Sequence, residues 1–180
     1  MKKVVLIFGS ISGIIAAALL MISVPYMLNG KFQASMGWGF TSQVIALIPL
    51  FFGIKAYRDK YKGGSIKFIN GFGVGMLIVL IASIIYAIGW EISLMLNNIT
   101  GEEFMAFMAE CEVKSMTNAG ATATEIARKK AETIAFGQGA YSNPAFRFLV
   151  TMAEMLPVGI IISLVSALVL KKKEVLPAYN

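Results

Sequence analysis

Histidine is absent from the 180 residues, and cysteine occurs once, as Cys111. Such a chain can build no His-based dyad or triad, no His-ligated metal or haem, and no internal disulfide framework. Charge is scarce too. Asp, Glu, Lys and Arg make up 14% of the chain, against about 25% in soluble globular proteins. Hydrophobic residues reach 57% and the mean hydropathy is +0.73. A soluble chain of this length cannot hide that much apolar surface, so the bilayer is the expected solvent. The G-x-x-x-x-G-K-[ST] phosphate loop is also missing, and Gly63-Gly64 beside Lys62 lacks its spacing. Nothing in the sequence points to a cofactor, a metal ion or nucleic acid.

What is present is four apolar runs, each long enough to cross about 30 Å of hydrocarbon. The first, 4–28, holds no charge and follows Lys2 and Lys3. A cleaved signal peptide is the rival reading, with Ala16-Ala17-Ala18 as its small-residue patch. The run continues ten residues past that patch, too far for an h-region of about 7–15 residues, so a retained helix is expected. The second run, 38–57, carries Pro49 near its middle and Lys55 near its end. Proline is tolerated in a span where neighbours re-satisfy the freed carbonyl. The third, 72–96, holds one charge, Glu91, and the fourth, 145–170, holds Arg147 and Glu154. Asn143-Pro144 suits the start of the fourth as N-cap and first helical residue. The expected fold is all-α: one polytopic membrane domain over 1–180, with four spans and a helical extracytoplasmic segment over 98–143.

Orientation follows from Lys and Arg beside the spans. Ten of them lie in the short segments next to the termini and between spans two and three. The other side has six, Lys31 and Arg147 among them, spread over more chain with six Glu residues interspersed. Both termini are therefore expected in the cytoplasm. Trp38 and Trp90 then fall at the outer interface, where aromatic belts form. The basic stretch from Lys55 to Lys67 sets topology and also suits anionic head groups, at about 1 kcal/mol per cation near the surface. Ser65 is a candidate cap for the third span.

The segment 98–143 reads as two short helices. Thr100 with Glu103, and Thr122 with Glu125, fit capping boxes. Gly120 and Gly137 fit helix ends. Phe104, Phe107, Met108 and Cys111 form an apolar stripe at helical spacing, and Ile126, Lys130 and Ile134 share a face of the second helix. The stripe suits packing onto the tops of the spans, or else a membrane surface or a partner. Cys111 reads as a small buried hydrophobe; if exposed, it could join two copies.

Charges inside spans are expensive, and each is a functional candidate for that reason. Counting about 1.5 Å per residue from the inner ends places Glu91 and Glu154 at comparable depth in the outer part of the membrane. Two readings follow. A paired acid site would share a proton or hold a cation against the Arg147 or Lys31 side. Alternatively, the two are independent polar groups, bonded to hydroxyls such as those of Ser23, Ser42 and Thr151. Arg147 lies two turns from Glu154 on nearly the same face, about 10 Å along the axis, too far for a direct pair. Small residues give a further signal. Gly9 and Gly13, continuing to Ala17, and Gly71 and Gly75 have the spacing that lets helices approach closely, within one chain or between two.

Several strings resemble a bacterial membrane family known as domain of unknown function 4199. They are Lys2-Lys-Val-Val-Leu-Ile-Phe-Gly9, Phe52-Gly-Ile-Lys-Ala-Tyr-Arg-Asp59, Gly63-Gly-Ser-Ile-Lys-Phe68, Ile88-Gly-Trp-Glu91 and Glu154-Met-Leu-Pro-Val-Gly159. The resemblance covers nearly the whole chain in order. It implies four spans, a long segment between the last two, and a place for Glu91 and Glu154 in the family pattern; it assigns no activity. The residues themselves favour a non-enzymatic membrane component, a small subunit, scaffold or assembly factor. Its expected partners are the lipid bilayer and another membrane protein or a second copy. The alternative is a small transporter or ion-coupled carrier using Glu91 and Glu154.

Overall fold

The structure is a computed structural model that describes residues 1–30 and 36–171. Lys31, Lys172 and Lys173, which entered the charge count, lie outside the described residues. Among the described residues seven helices follow in order: α1 (Lys2–Leu28), α2 (Met36–Ala46), α3 (Ile48–Tyr61), α4 (Phe68–Leu96), α5 (Gly101–Asn118), α6 (Ala123–Gln138) and, after a 3₁₀ turn at Ala140–Ser142, α7 (Pro144–Leu170). Four stretches of the described residues are long and apolar enough to cross a membrane: Lys2–Leu28, Gly37–Tyr61, Phe68–Leu96 and Pro144–Leu170. The protein is an all-α, multi-pass membrane protein.

Lipid tails are as apolar as leucine, so spans associate through close packing and not through a hydrophobic drive. Helix α4 is the centre of that packing. On one side it meets α1 in parallel. A Cβ added at Gly9 would stand 2.7 Å from Ile81 Cβ, one at Gly13 would stand 2.7 Å from Ile85 Cβ, and one at Gly89 would stand 2.6 Å from Ala17 Cβ. On the other side α4 meets α7 antiparallel. Gly71 faces Ala167 and Gly75 faces Ser163, and farther along Val79 fills the space left by Gly159. All four glycines of the two expected motifs therefore lie at helix contacts inside one chain. Below them α3 closes the bundle, with Leu47, Leu50, Ile54, Ile78, Val79 and Met155 fully buried.

The second span is not one helix. Leu47 (φ −91°, ψ 1°) separates α2 from α3, and Pro49 sits in the first turn of α3. Proline has no N–H to give the carbonyl of Ile45, and its ring crowds the preceding turn. The chain answers with a joint, at which the Leu47 amide donates to the Gln43 and Val44 carbonyls. The third span also differs from expectation. It starts earlier, at Phe68, behind Lys67 and without any side-chain cap, so Ser65 has no capping role. Gly63 (φ 58°) and Gly64 (φ 84°) make the turn before it.

The hairpin of α5 and α6 follows its sequence signals closely. Both capping boxes form: the Thr100 and Thr122 hydroxyls accept from the Glu103 and Glu125 amides, and each Glu reaches back to the Thr amide. Gly120 (φ 77°) ends α5, and Asn143 caps α7 through Oδ1. Helix α6 runs one residue past Gly137, which is needed instead for close contact with Met105 of α5. Lys130–Glu110 and Lys129–Glu112 ion pairs and a Thr133–Glu112 hydrogen bond cross the hairpin. Exposed pairs of this kind contribute little, about 0–1 kcal/mol each. Cys111 is half-buried, and that burial pushes its thiol up, away from the reactive thiolate.

Two predictions follow from the packing and the caps. Gly13→Ala places a methyl 3.0 Å from the backbone oxygen of Ala82 as well as against Ile85, and should lower stability by about 1–3 kcal/mol. Gly73→Ala, whose new methyl meets nothing within 4 Å, should leave the melting temperature in detergent unchanged or raised. The capping hydrogen bonds, from the Thr100 amide to Glu103 and from the Thr122 hydroxyl to Glu125, hold both carboxyls below their usual range. A lowered folded pKa means the stabilisation is present above the unfolded value, about 4.3, and is lost as pH falls through the folded one. Hydrogen exchange over residues 100–138 should thus be flat from pH 8 to 5, after correction for intrinsic rates, with protection failing below about pH 4.

Candidate functional site

The α4–α7 register that brings Gly75 to Ser163 and Val79 to Gly159 also carries Glu91 to the level of Arg147. There the two pair. Arg147 Nε donates to Glu91 Oε1 at 2.8 Å and Nη2 donates to Oε2 at 2.6 Å, a bidentate fork. Nη1 donates to the Tyr141 carbonyl at 3.1 Å, and the guanidinium lies 5.9 Å from the Tyr141 ring centre. The Arg147 side chain is 9% exposed and that of Glu91 28%, so the pair is mostly out of solvent. A Cβ on Gly101, the first residue of α5, would stand 2.5 Å from Nη1. One side chain of α7 thereby ties together α4, the 3₁₀ turn and the start of the hairpin.

An aromatic cluster seats the hairpin beside this pair. Trp90 of α4 and Phe104 of α5 meet edge to face at 4.6 Å between ring centres, and Tyr141 packs with Phe136 at 5.6 Å. Val24, Leu94, Met105 and Met108 complete the cluster. The Phe104 stripe thus packs at least in part onto the ends of its own spans. Trp90 does not sit in an interfacial belt: it is 5% exposed, covered by Phe104. Burial also pushes the Tyr141 phenol well above its ordinary range. Next to the pair an open cleft of about 650 Å³ is lined by Glu91, Asn98, Thr100, Glu102, Ser142 and Arg147 among others. Among the described residues no group of His, Cys, Asp and Glu is placed to hold a metal ion.

Residues 7–172 match the family described as Protein of unknown function (DUF4199). The chain belongs to this family. No curated protein and no solved structure matches it.

In this DUF4199 protein Glu154 stands elsewhere than expected. The register that levels Glu91 with Arg147 places Glu154 opposite Ile84, about two turns or 10 Å deeper. The two acids are not at comparable depth. Counting from assumed span ends lost a turn because α4 begins four residues before the apolar run does. Both Glu91 oxygens are also committed to Arg147. Among the described residues no hydrogen bond or ion pair reaches the Glu154 carboxylate. The hydroxyls of Ser23, Ser42 and Thr151 donate instead to carbonyls of their own helices, those of Leu19, Gly39 and Arg147.

Sequence reasoning missed Tyr141 and Gly101, the other partners of Arg147. A backbone carbonyl leaves no trace in residue type, but a glycine following a capping Thr, where any helix former would do, was a usable signal.

A double-mutant cycle tests the pair. Arg147→Met strands the Glu91 carboxylate and should cost about 3 kcal/mol. Adding Glu91→Leu should recover a clear part of that loss in detergent melting experiments. A coupling below about 0.5 kcal/mol would mean that the two side chains act independently.

Proposed function

We propose that this protein is a non-enzymatic component of a membrane assembly, a small subunit, scaffold or assembly factor that presents its helical hairpin to other proteins. The observation that carries the reading is the use made of Arg147 and Glu91. The costliest charges at the hairpin end of the bundle are paired with each other and with the hairpin's own base. A buried ion pair gives geometric definition more than stability, and here it fixes how α5 and α6 stand on the spans. The hairpin's outer faces stay polar and exposed, as a docking platform requires.

The family resemblance suits a bacterial inner membrane, and the bias of Lys and Arg supports the termini in the cytoplasm and the hairpin outside. A carrier built on a Glu91–Glu154 pair is less well supported, because the two acids occupy different levels and Glu91 has a partner. Native mass spectrometry of the chain, released gently from its own membrane, tests the proposal. A stoichiometric protein partner is expected. A lone monomer or homodimer, under conditions that preserve known membrane complexes, would overturn it.

A further inference from the structure

Three polar side chains stand on three spans near one level. Gln43 of α2 lies beside the Tyr86 hydroxyl of α4, and the α4–α7 register sets Tyr86 level with Met152, two residues from Glu154 of α7. Two of the three are acceptors without a donor. Gln43 is 7% exposed, yet its Oε1 accepts no hydrogen bond. The Glu154 carboxylate, deep along the bundle but on its outer surface, is likewise unbonded among the described residues. Residues 37–41 of α2 are exposed, and α2 leans on α1, where the Trp38 indole donates to Ser23 at 3.1 Å.

From this placement we infer that Glu154 receives a basic side chain, Lys or Arg, carried by the transmembrane helix of a partner protein. The chemistry follows from the acceptor: an unbonded carboxyl asks for a partner that donates N–H bonds, and a cation is the partner that lets it ionise within hydrocarbon. The depth selects its source. Glu154 is three residues from Pro157, the midpoint of Pro144–Leu170, or about 4.5 Å along the axis. Lipid amines lie near the ends of a span, about 15 Å from the middle of the hydrocarbon. A second copy fits no better. Apart from Arg147, which is engaged by Glu91, every described Lys and Arg lies near the helix termini, in the basic stretch 55–67 or in the hairpin. The seat for the incoming helix is on the page too. Glu154 heads an exposed stripe of α7 that continues through Pro157, Ile161, Val165 and Leu168 at helical spacing.

This inference rests on the subunit reading, and its test keeps the two apart. Synthetic transmembrane helices of leucine and alanine, one with a single central Lys and one without, are reconstituted with the full chain in phosphatidylcholine bilayers. Association is followed by energy transfer. The Lys helix should bind the natural chain at least tenfold more tightly than its Lys-free twin, and Glu154→Gln should bring the two to parity. Equal melting of the Glu154→Gln and natural chains excludes misfolding as the cause; if that variant does not fold, Glu154→Asp, which keeps the charge, should retain the preference. Parity with the natural chain overturns the inference, as does displacement of the Lys helix by phosphatidylethanolamine. Native spectra of Glu154→Gln give the second arm, in which loss of the partner supports the site. A partner retained by that variant overturns the site and leaves the subunit reading standing. A natural chain with no partner overturns the subunit reading, and the helix assay alone then decides the site.

Discussion

The close approach of α4 to α1 and α7 is the constraint on which everything else depends. Within a bilayer there is no water to expel between spans, so contact is gained only where backbones come near. Glycine supplies the room at Gly9, Gly13, Gly75 and Gly159, and the neighbours Ile81, Ile85, Ser163 and Val79 fill it. Fit of this kind fixes register as well as distance. A slip of one turn would take Arg147 about 5.4 Å from its carboxylate, so the ion pair and the small-residue seams specify the same alignment. Agreement between packing and polar pairing is what singles out one arrangement among similar apolar helices.

The two ends of the bundle are built differently in consequence. Toward the termini, α3 wedges between α1, α4 and α7, and the core is aliphatic and fully enclosed. Toward the hairpin, cohesion passes to Trp90, Phe104, Tyr141 and the guanidinium of Arg147. The rings there are buried, Trp90 and Tyr141 at 5% and Phe104 at 9% exposed, and they hold the hairpin by apolar area and edge-to-face contact. The joint at Leu47 separates the regimes within a single span. Pro49 frees the upper piece to follow α1 while the lower stays with the core.

Much of this was legible in the residues. Apolar length located the four spans, and Thr-x-x-Glu twice and Asn-Pro once located the helix starts, because caps act within one turn and need no tertiary context. Small-residue spacing picked out the glycines of the seams. The sequence was less informative wherever the answer depended on register between spans. Glu91 and Glu154 looked level because run ends stood in for helix ends, and α4 extends back through Phe68-Ile-Asn-Gly, whose Asn interrupts the apolar run without ending the helix. Trp90 resembled a belt residue because nothing local reveals that Phe104, fourteen positions later, will cover it. The pairing of Glu91 with Arg147 joins residues 56 apart, beyond any periodicity.

That separation has a meaning for how the protein is made. Synthesis runs in order, so Glu91 of α4 is made before the cation that will pair with it. At about 5–20 residues per second, the 56 positions from Glu91 to Arg147 take roughly 3–11 seconds. Through that interval the carboxylate must be kept by water, by a proton or by the insertion machinery, and the hairpin base has no guanidinium to close on. Arrival of α7 ends the wait. The last span acts as the closing bolt of biosynthesis, and a nascent chain halted before Arg147 leaves its extramembrane helices unfastened.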